Sequence, residues 1–335
     1  MKKRILICLG SLLAAVSLFS QEPVDYVNPF IGTTNYGTCN PGAICPNGLM
    51  SVVPFNVMGS SDNKYDKDAR WWSTPYEHNN CFFTGFSHVN LSGVGCPDMG
   101  SLLLMPTTGK LDMDLRNYGS RYKDETASPG YYSLFLTKYN IKAEVTATLR
   151  SGLARFTFPE GESHILLNLG EGLTNESGAF LRKVSNTEVE GMKLLGTFCY
   201  NPQAVFPIYF VMRVSKAPKA CGYWKKQREM QGPEADWDIH SGKYKLYTKY
   251  NKELAGDDIG AWFSFDTAGN EEVEVAVGVS FVSIENAREN LEKEQGGRHF
   301  AQIHQEARDL WNSHLGRIKV EGGTEDQKTV FYTGL

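Results

Sequence analysis

From Ile141 the chain alternates: Ile141, Ala143, Val145, Ala147 and Leu149 are apolar, and the residues between them are charged or carry hydroxyls. Successive side chains of a strand point to opposite faces, so this period of two predicts a strand with one buried face. The same alternation returns at Val273, Val275, Val277, Val279 and Phe281. Shorter apolar, β-branched or aromatic runs at 102–105, 131–136, 153–158, 165–169, 206–214 and 261–265 predict further strands between turn residues. No strand is regularly followed by a helical stretch, as a parallel sheet would require, so the pattern predicts a mainly β fold, a large antiparallel β-sandwich. The 33 glycines suit its turns and bulges.

The period changes after Ser283, which caps a predicted helix running from Ile284 through Leu291 to Gly296-Gly297. In 299–315, Phe300, Ile303, Ala307, Leu310 and Trp311 recur at three- and four-residue spacings, a second helix with a core-facing stripe. A short strand at 317–320 is expected next. Thr324 with Gln327 then forms a capping box opening a helix that carries Val330, Phe331 and Tyr332 toward a core. A helix begun so close to Leu335 predicts a further C-terminal domain beyond it; a docked terminal helix is the plainer alternative.

Met1-Lys2-Lys3-Arg4 and the apolar run Ile5 to Phe19 read as a secretory leader, cleaved near Ser20. The run is shorter than the roughly twenty residues of a membrane span, and none follows, so no membrane span is expected. Cys8 sits too early for a lipid-anchor signal. The chain is thus expected to be exported, to a periplasm or outside the cell. The whole sequence is 41% hydrophobic and 12% aromatic, enough for a sizeable core. A net charge of -4 with no basic cluster beyond the leader argues against nucleic acid as a partner. Of seven cysteines, Cys39, Cys45, Cys81, Cys96, Cys199 and Cys221 lie outside the leader. One or two disulfides with buried thiols besides are expected, and no spacing suggests a zinc site.

The Gly- and Pro-rich loops between Gly32 and Asp98 carry the candidate chemistry. Sugars are held by flat aromatic faces together with side chains that bond hydroxyls in fixed directions. Trp71, Trp72, His88 and Asp98 supply both kinds. Each also fits a structural role: a tryptophan in the core, a hydrogen-bonded histidine, and an aspartate opening a turn after Pro97.

Several stretches in collinear order resemble family 92 glycoside hydrolases. They are Asp25-Tyr26-Val27-Asn28-Pro29-Phe30-Ile31-Gly32-Thr33, the loop 41–50, Gly85-Phe86-Ser87-His88, and Leu91-Ser92-Gly93-Val94-Gly95-Cys96-Pro97-Asp98. Ser283-Ile284-Glu285-Asn286-Ala287, Trp311, Leu315-Gly316-Arg317-Ile318 and Thr329 to Thr333 continue the resemblance. It implies an exo-acting, inverting α-mannosidase with an N-terminal β-sandwich and an α/α toroid. Inversion needs an acid and a base carboxylate about 6.5 to 9.5 Å apart, both expected in the toroid. Calcium is expected for the full-length enzyme, with no metal ligand assigned to this chain. The implied organisation is a leader at 1–20, a sandwich at 21–282, a helical linker at 283–323 and the start of the toroid at 324–335. The sandwich would pack against that catalytic α/α domain and close one side of the pocket. Trp71, Trp72, His88, Cys96 and Asp98 would then bind mannose-containing glycans, with no catalytic residue in this chain. The competing expectations are a stand-alone carbohydrate-binding module and a non-functional truncated product.

Overall fold

The structure is a computed structural model that describes residues 21–34, 37–57, 73–95, 97–173, 178–196, 201, 203–227, 243–247 and 253–335. In chain order the strands are β1 (Ala43–Ile44), β2 (Ser51–Phe55), β3 (Gly85–Asn90), β4 (Met99–Thr108), β5 (Tyr122–Ser128) and β6 (Tyr131–Leu136). Then come β7 (Ile141–Ala147), β8 (Ser151–Phe158), β9 (Gly161–Asn168), β10 (Ala179–Lys183), β11 (Glu188–Gly196) and β12 (Val205–Val214). The last are β13 (Ala220–Gln227), β14 (Lys243–Tyr247), β15 (Glu253–Gly256), β16 (Ile259–Thr267) and β17 (Glu271–Ser280). They form two antiparallel sheets, β1-β2-β3-β4-β9-β16-β13-β14 and β15-β10-β11-β12-β17-β8-β7-β6-β5.

The sheets pack face to face. Phe86 of the first meets Phe156 and Tyr132 of the second, with ring centroids 6.4 and 6.1 Å away. All three rings are fully buried, and burying one such side chain contributes about 1.5 to 3 kcal/mol. The two strands with the clearest alternation, β7 and β17, both pair with β8. The second face of β17 is partly open over its first half, whereas in β7 only Lys142 is exposed.

Among the described residues the helices are α1 (Leu115–Tyr118), α2 (Ile284–Gln295), α3 (Phe300–Leu315) and α4 (Glu325–Gly334), with one 3-10 turn at Pro23–Tyr26. Ser283 caps α2 as expected, its hydroxyl accepting from Asn286 N at 3.1 Å. The helix lies on the nine-stranded sheet so closely that a Cβ at Gly278 of β17 would stand 2.6 Å from that of Leu291. Arg288 of α2 pairs with Glu188 and Glu190 of β11, both buried.

His299 is the N-cap of α3, closed by Gln302, and Phe300 and Ile303 pack on Leu153 and Tyr131. Gly130, with φ +80°, lets the β5–β6 turn approach α3, where a Cβ would meet that of Ala307 at 2.7 Å.

The strand expected at 317–320 does not form. Ile318 is exposed, and the phenol of Tyr332 takes up the backbone groups a partner strand would have used. It donates to Ile318 O and accepts from Val320 N, both at 3.1 Å. The capping box of α4 is in place, with Gln327 N on Thr324 Oγ1 at 3.2 Å and Thr324 N on Gln327 Oε1 at 2.9 Å. Of the three residues expected to face a core only Tyr332 is buried, while Val330 and Phe331 are exposed. Tyr332 joins Val24 and Leu315 in a small cluster that ties the first described residues to the last helices. Cys39, Cys45 and Cys221 carry free thiols, and Cys96 and Cys199 lie outside the described residues.

Candidate functional site

Three loop segments meet beside β2 and β3. The first, whose described residues are 32–34 and 37–40, is joined across its ends by Cys39 N on Gly32 O at 3.2 Å. One of its carbonyls, Thr33 O, accepts from His78 N at 3.0 Å, and another, Thr38 O, accepts from Gly93 N at 2.8 Å. Asn40 adds its side-chain amide to Leu91 O at 3.4 Å. Residues 73–80, the turn after Asn90 and this first segment are therefore one connected surface, on which His78, Asn79, Ser92 and Gly93 are exposed.

The loop 41–50 is fixed from behind. Trp311 donates from Nε1 to Ile44 O at 2.6 Å, and Leu49 N and Met50 N both donate to Leu149 O, at 2.8 and 3.0 Å. Helix α3 and the β7–β8 hairpin thus set its position.

His88 is 1% exposed, inside the β3–β4 ladder rather than on the surface. Its Nδ1 donates to Leu102 O at 2.7 Å. The register shifts here, and Val89, Met99 and Leu102 have left-handed backbones with φ of 58°, 61° and 56°. A β-branched residue in that region is costly, on the order of 1 kcal/mol or more, and persists only where its surroundings enforce it. The His88 bond to Leu102 is one such constraint. Burial pushes the imidazole down to about 4, so at neutral pH it is uncharged.

Asp98 is 2% exposed and its Oδ1 accepts from Met99 N at 2.7 Å, holding the start of β4. Asn90 closes the other side, bonded to Ser51 Oγ through its own N at 2.7 Å and receiving Ser87 Oγ on Oδ1 at 2.7 Å. The structure thus brings His88 and Asp98 to the same end of one strand pair, both behind the exposed loop surface. Trp71, Trp72 and Cys96 lie outside the described residues. The flanks of the tryptophan pair, Val57 and Ser73, lie toward the Phe55 and Gly85 end, where Asn56 N donates to Pro75 O at 3.0 Å.

That end holds a polar group that the sequence reading did not single out. Asn56 is fully buried, accepts from Glu77 N at 2.9 Å and donates to Glu77 O at 2.9 Å. Tyr76 donates to Glu125 Oε1 at 2.8 Å and stands 3.0 Å from His78 Nδ1. Tyr132 donates to the same carboxylate oxygen at 2.5 Å. Burial raises the Glu125 carboxyl, and the two phenols oppose that shift. Glu125 could be found only through the fold, since it is 49 residues from Tyr76.

Among the described residues no three His, Cys, Asp or Glu side chains converge to hold a metal.

Residues 26–280 match the glycosyl hydrolase family 92 N-terminal domain, and residues 286–335 match the family 92 catalytic domain. The chain belongs to glycosyl hydrolase family 92. Its fold is similar to that of a family 92 α-mannosidase from Bacteroides thetaiotaomicron, with a TM-score of 0.79 and 30% identity over 94% of this chain and 40% of that one. The same enzyme solved with mannoimidazole gives a TM-score of 0.78 at 30% identity, over 93% of this chain and 39% of that one. An uncharacterized secreted glycosidase of Arthroderma benhamiae is 27% identical over 95% of this chain and 41% of its own length. This family 92 chain thus spans about 40% of the relatives it matches. Among its described residues no helix is long and apolar enough to cross a membrane.

Proposed function

We propose that this chain is the sandwich and first helices of an exported, exo-acting α-mannosidase, and that it supplies one wall of the pocket for the terminal mannose of a glycan. The observation that carries the reading is the connected loop surface made by 32–34, 37–40, 73–80 and 91–93, held by a strand pair behind it. Such a surface on a stiff scaffold suits a site that must fix a sugar without ordering itself on binding. The resemblance of this chain to an α-mannosidase solved with mannoimidazole supports mannose as the sugar.

In this reading the sandwich runs through 282, residues 283–323 link it onward, and α4 from 324 belongs to a catalytic α/α domain against which the sandwich packs. The acid and base carboxylates of an inverting hydrolysis, and calcium, fall to that domain. Trp71 and Trp72 give the sugar an aromatic face, with Cys96 beside it. His88 and Asp98 act from behind, by keeping the 90–98 turn in its shape.

Hydrolysis of 4-nitrophenyl α-mannoside tests the division of labour. The chain alone is expected to release no nitrophenol above the no-protein control. Joined to a family 92 catalytic domain it is expected to be active, and to lose at least tenfold in kcat/KM when Trp71 and Trp72 are both changed to Ala. Turnover by the isolated chain, or an unchanged double variant, overturns the reading.

A further inference from the structure

We propose that His78 binds the ligand, its Nε2 accepting a hydrogen bond from a mannoside hydroxyl, with Tyr76 and Glu125 as the positioning residues behind it. The inference rests on the mannoside reading and adds to it a residue, an atom and a hydrogen-bond direction.

The direction follows from counting protons. A carboxylate can only accept, and a phenol has one proton to give. Tyr76 gives its proton to Glu125 Oε1 at 2.8 Å, so its oxygen can only accept from the imidazole 3.0 Å away. With a single ring proton, His78 carries it on Nδ1, which leaves Nε2 as a bare acceptor. Nε2 has no partner among the described residues, and the side chain is exposed.

The ring is held on its other sides as well. Phe30 meets it edge-on with centroids 5.4 Å apart, and its backbone is pinned to Thr33 O. Tyr76 is fully buried. Glu125 turns inward because the edge strand β5 bulges between Lys123 and Thr126, where Asp124 takes a φ of 53°. Glu125 is half-buried, and a carboxylate partly withdrawn from water is costly unless hydrogen bonds hold it, as the two phenols do here. Here that carboxylate, two phenols and a strand bulge all converge on one exposed imidazole at the edge of the loop surface. An oriented acceptor is what a hydroxyl-rich ligand requires.

The test uses the whole chain, labelled with nitrogen-15, at pH 8, with methyl α-mannoside as the probe. Long-range proton–nitrogen spectra are expected to show His78 protonated on Nδ1, and its Nε2 signal to move as the sugar is added. His78→Ala is expected to weaken binding about three- to tenfold, and His78→Gln, which keeps an acceptor, by less. Tyr76→Phe is expected to shift the tautomer toward Nε2–H while the rest of the spectrum stays folded. A wild-type ring protonated on Nε2 overturns the proposal. So does mannoside binding that neither moves the His78 signal nor weakens in His78→Ala, an outcome that leaves the mannoside reading standing. Absence of any wild-type binding overturns the His78 proposal and leaves the mannoside reading to the assay of the joined enzyme.

Discussion

The ring of Tyr26 stacks on that of Tyr332, with centroids 5.6 Å apart and planes 21° from parallel. Around this pair Asn28 N donates to Thr333 Oγ1 at 2.9 Å, and Arg308 of α3 pairs with Glu22 and Asp25 at 2.8 and 3.0 Å. The terminal helices are thereby attached to the first residues through rings and a buried phenol, with exposed ion pairs adding little. Tyr332→Phe is expected to cost about 1 kcal/mol by removing the bonds to Ile318 and Val320, and Tyr332→Ala about 3 kcal/mol or more. Hydrogen exchange will show faster amides in α4 and 318–320 with the sheets unchanged. Equal loosening of β7 and β8 would contradict this.

Acid should weaken the fold through His88. Its folded pKa falls from the ordinary 6.5 to about 4, so the unfolded chain takes up the proton at a higher pH than the folded chain does. Stability is therefore full above about 6.5, declines as pH falls toward 4, and loses about 3 kcal/mol over that window. His164 and His304 are lowered in the same direction by burial and add to the slope. Urea unfolding across pH 7.5 to 4.5, for wild type and His88→Gln, should give a shallower decline in the variant. Parallel curves would remove His88 from the account.

Arg288 holds two buried carboxylates at once, but Glu190 also pairs with Arg182 and Glu188 with Arg213. Arg288→Met is expected to cost about 1 to 2 kcal/mol, less than breaking an isolated buried pair, because each carboxylate keeps a partner. Adding Glu188→Gln and Glu190→Gln should recover part of that loss. A triple variant less stable than the single one would show that the carboxylates are stabilising in their own right.

Burial pushes the Cys45 thiol up to about 12, while it donates to Ala147 O at 3.1 Å. Only the thiolate reacts with alkylating reagents, so Cys45 should resist iodoacetamide at pH 8 until the protein unfolds. The more exposed Cys39 and Cys221 should be labelled first. Mass spectrometry of timed digests reads the order directly, and early labelling of Cys45 would contradict its burial.

The strands most legible in the sequence were β7 and β17, whose apolar residues recur at every second position, although in β7 only Lys142 is exposed. In β2 every residue is buried, and in β3 all but Asn90, so neither shows an alternation to read. The 317–320 segment has strand-like composition, but its backbone partners come from one phenol that no local pattern announces. In the candidate site, residue types pointed to His88 and Asp98, which lie behind the loop surface. His78 stands on it, and its orientation depends on a carboxylate brought in by the strand bulge at Asp124.

The cluster of Val24, Leu315 and Tyr332 also bears on the order of assembly. As the polypeptide emerges from the ribosome, Val24 appears early, but the buried residues of its cluster, Leu315 and Tyr332, come only when the 300s have been made. Contacts spanning such separations are slow to close. The segment around Tyr26 is therefore expected to dock late, after the sheets have formed. An N-terminal tag bulky enough to hinder that step should slow recovery of α4 after dilution from denaturant without slowing formation of the sandwich.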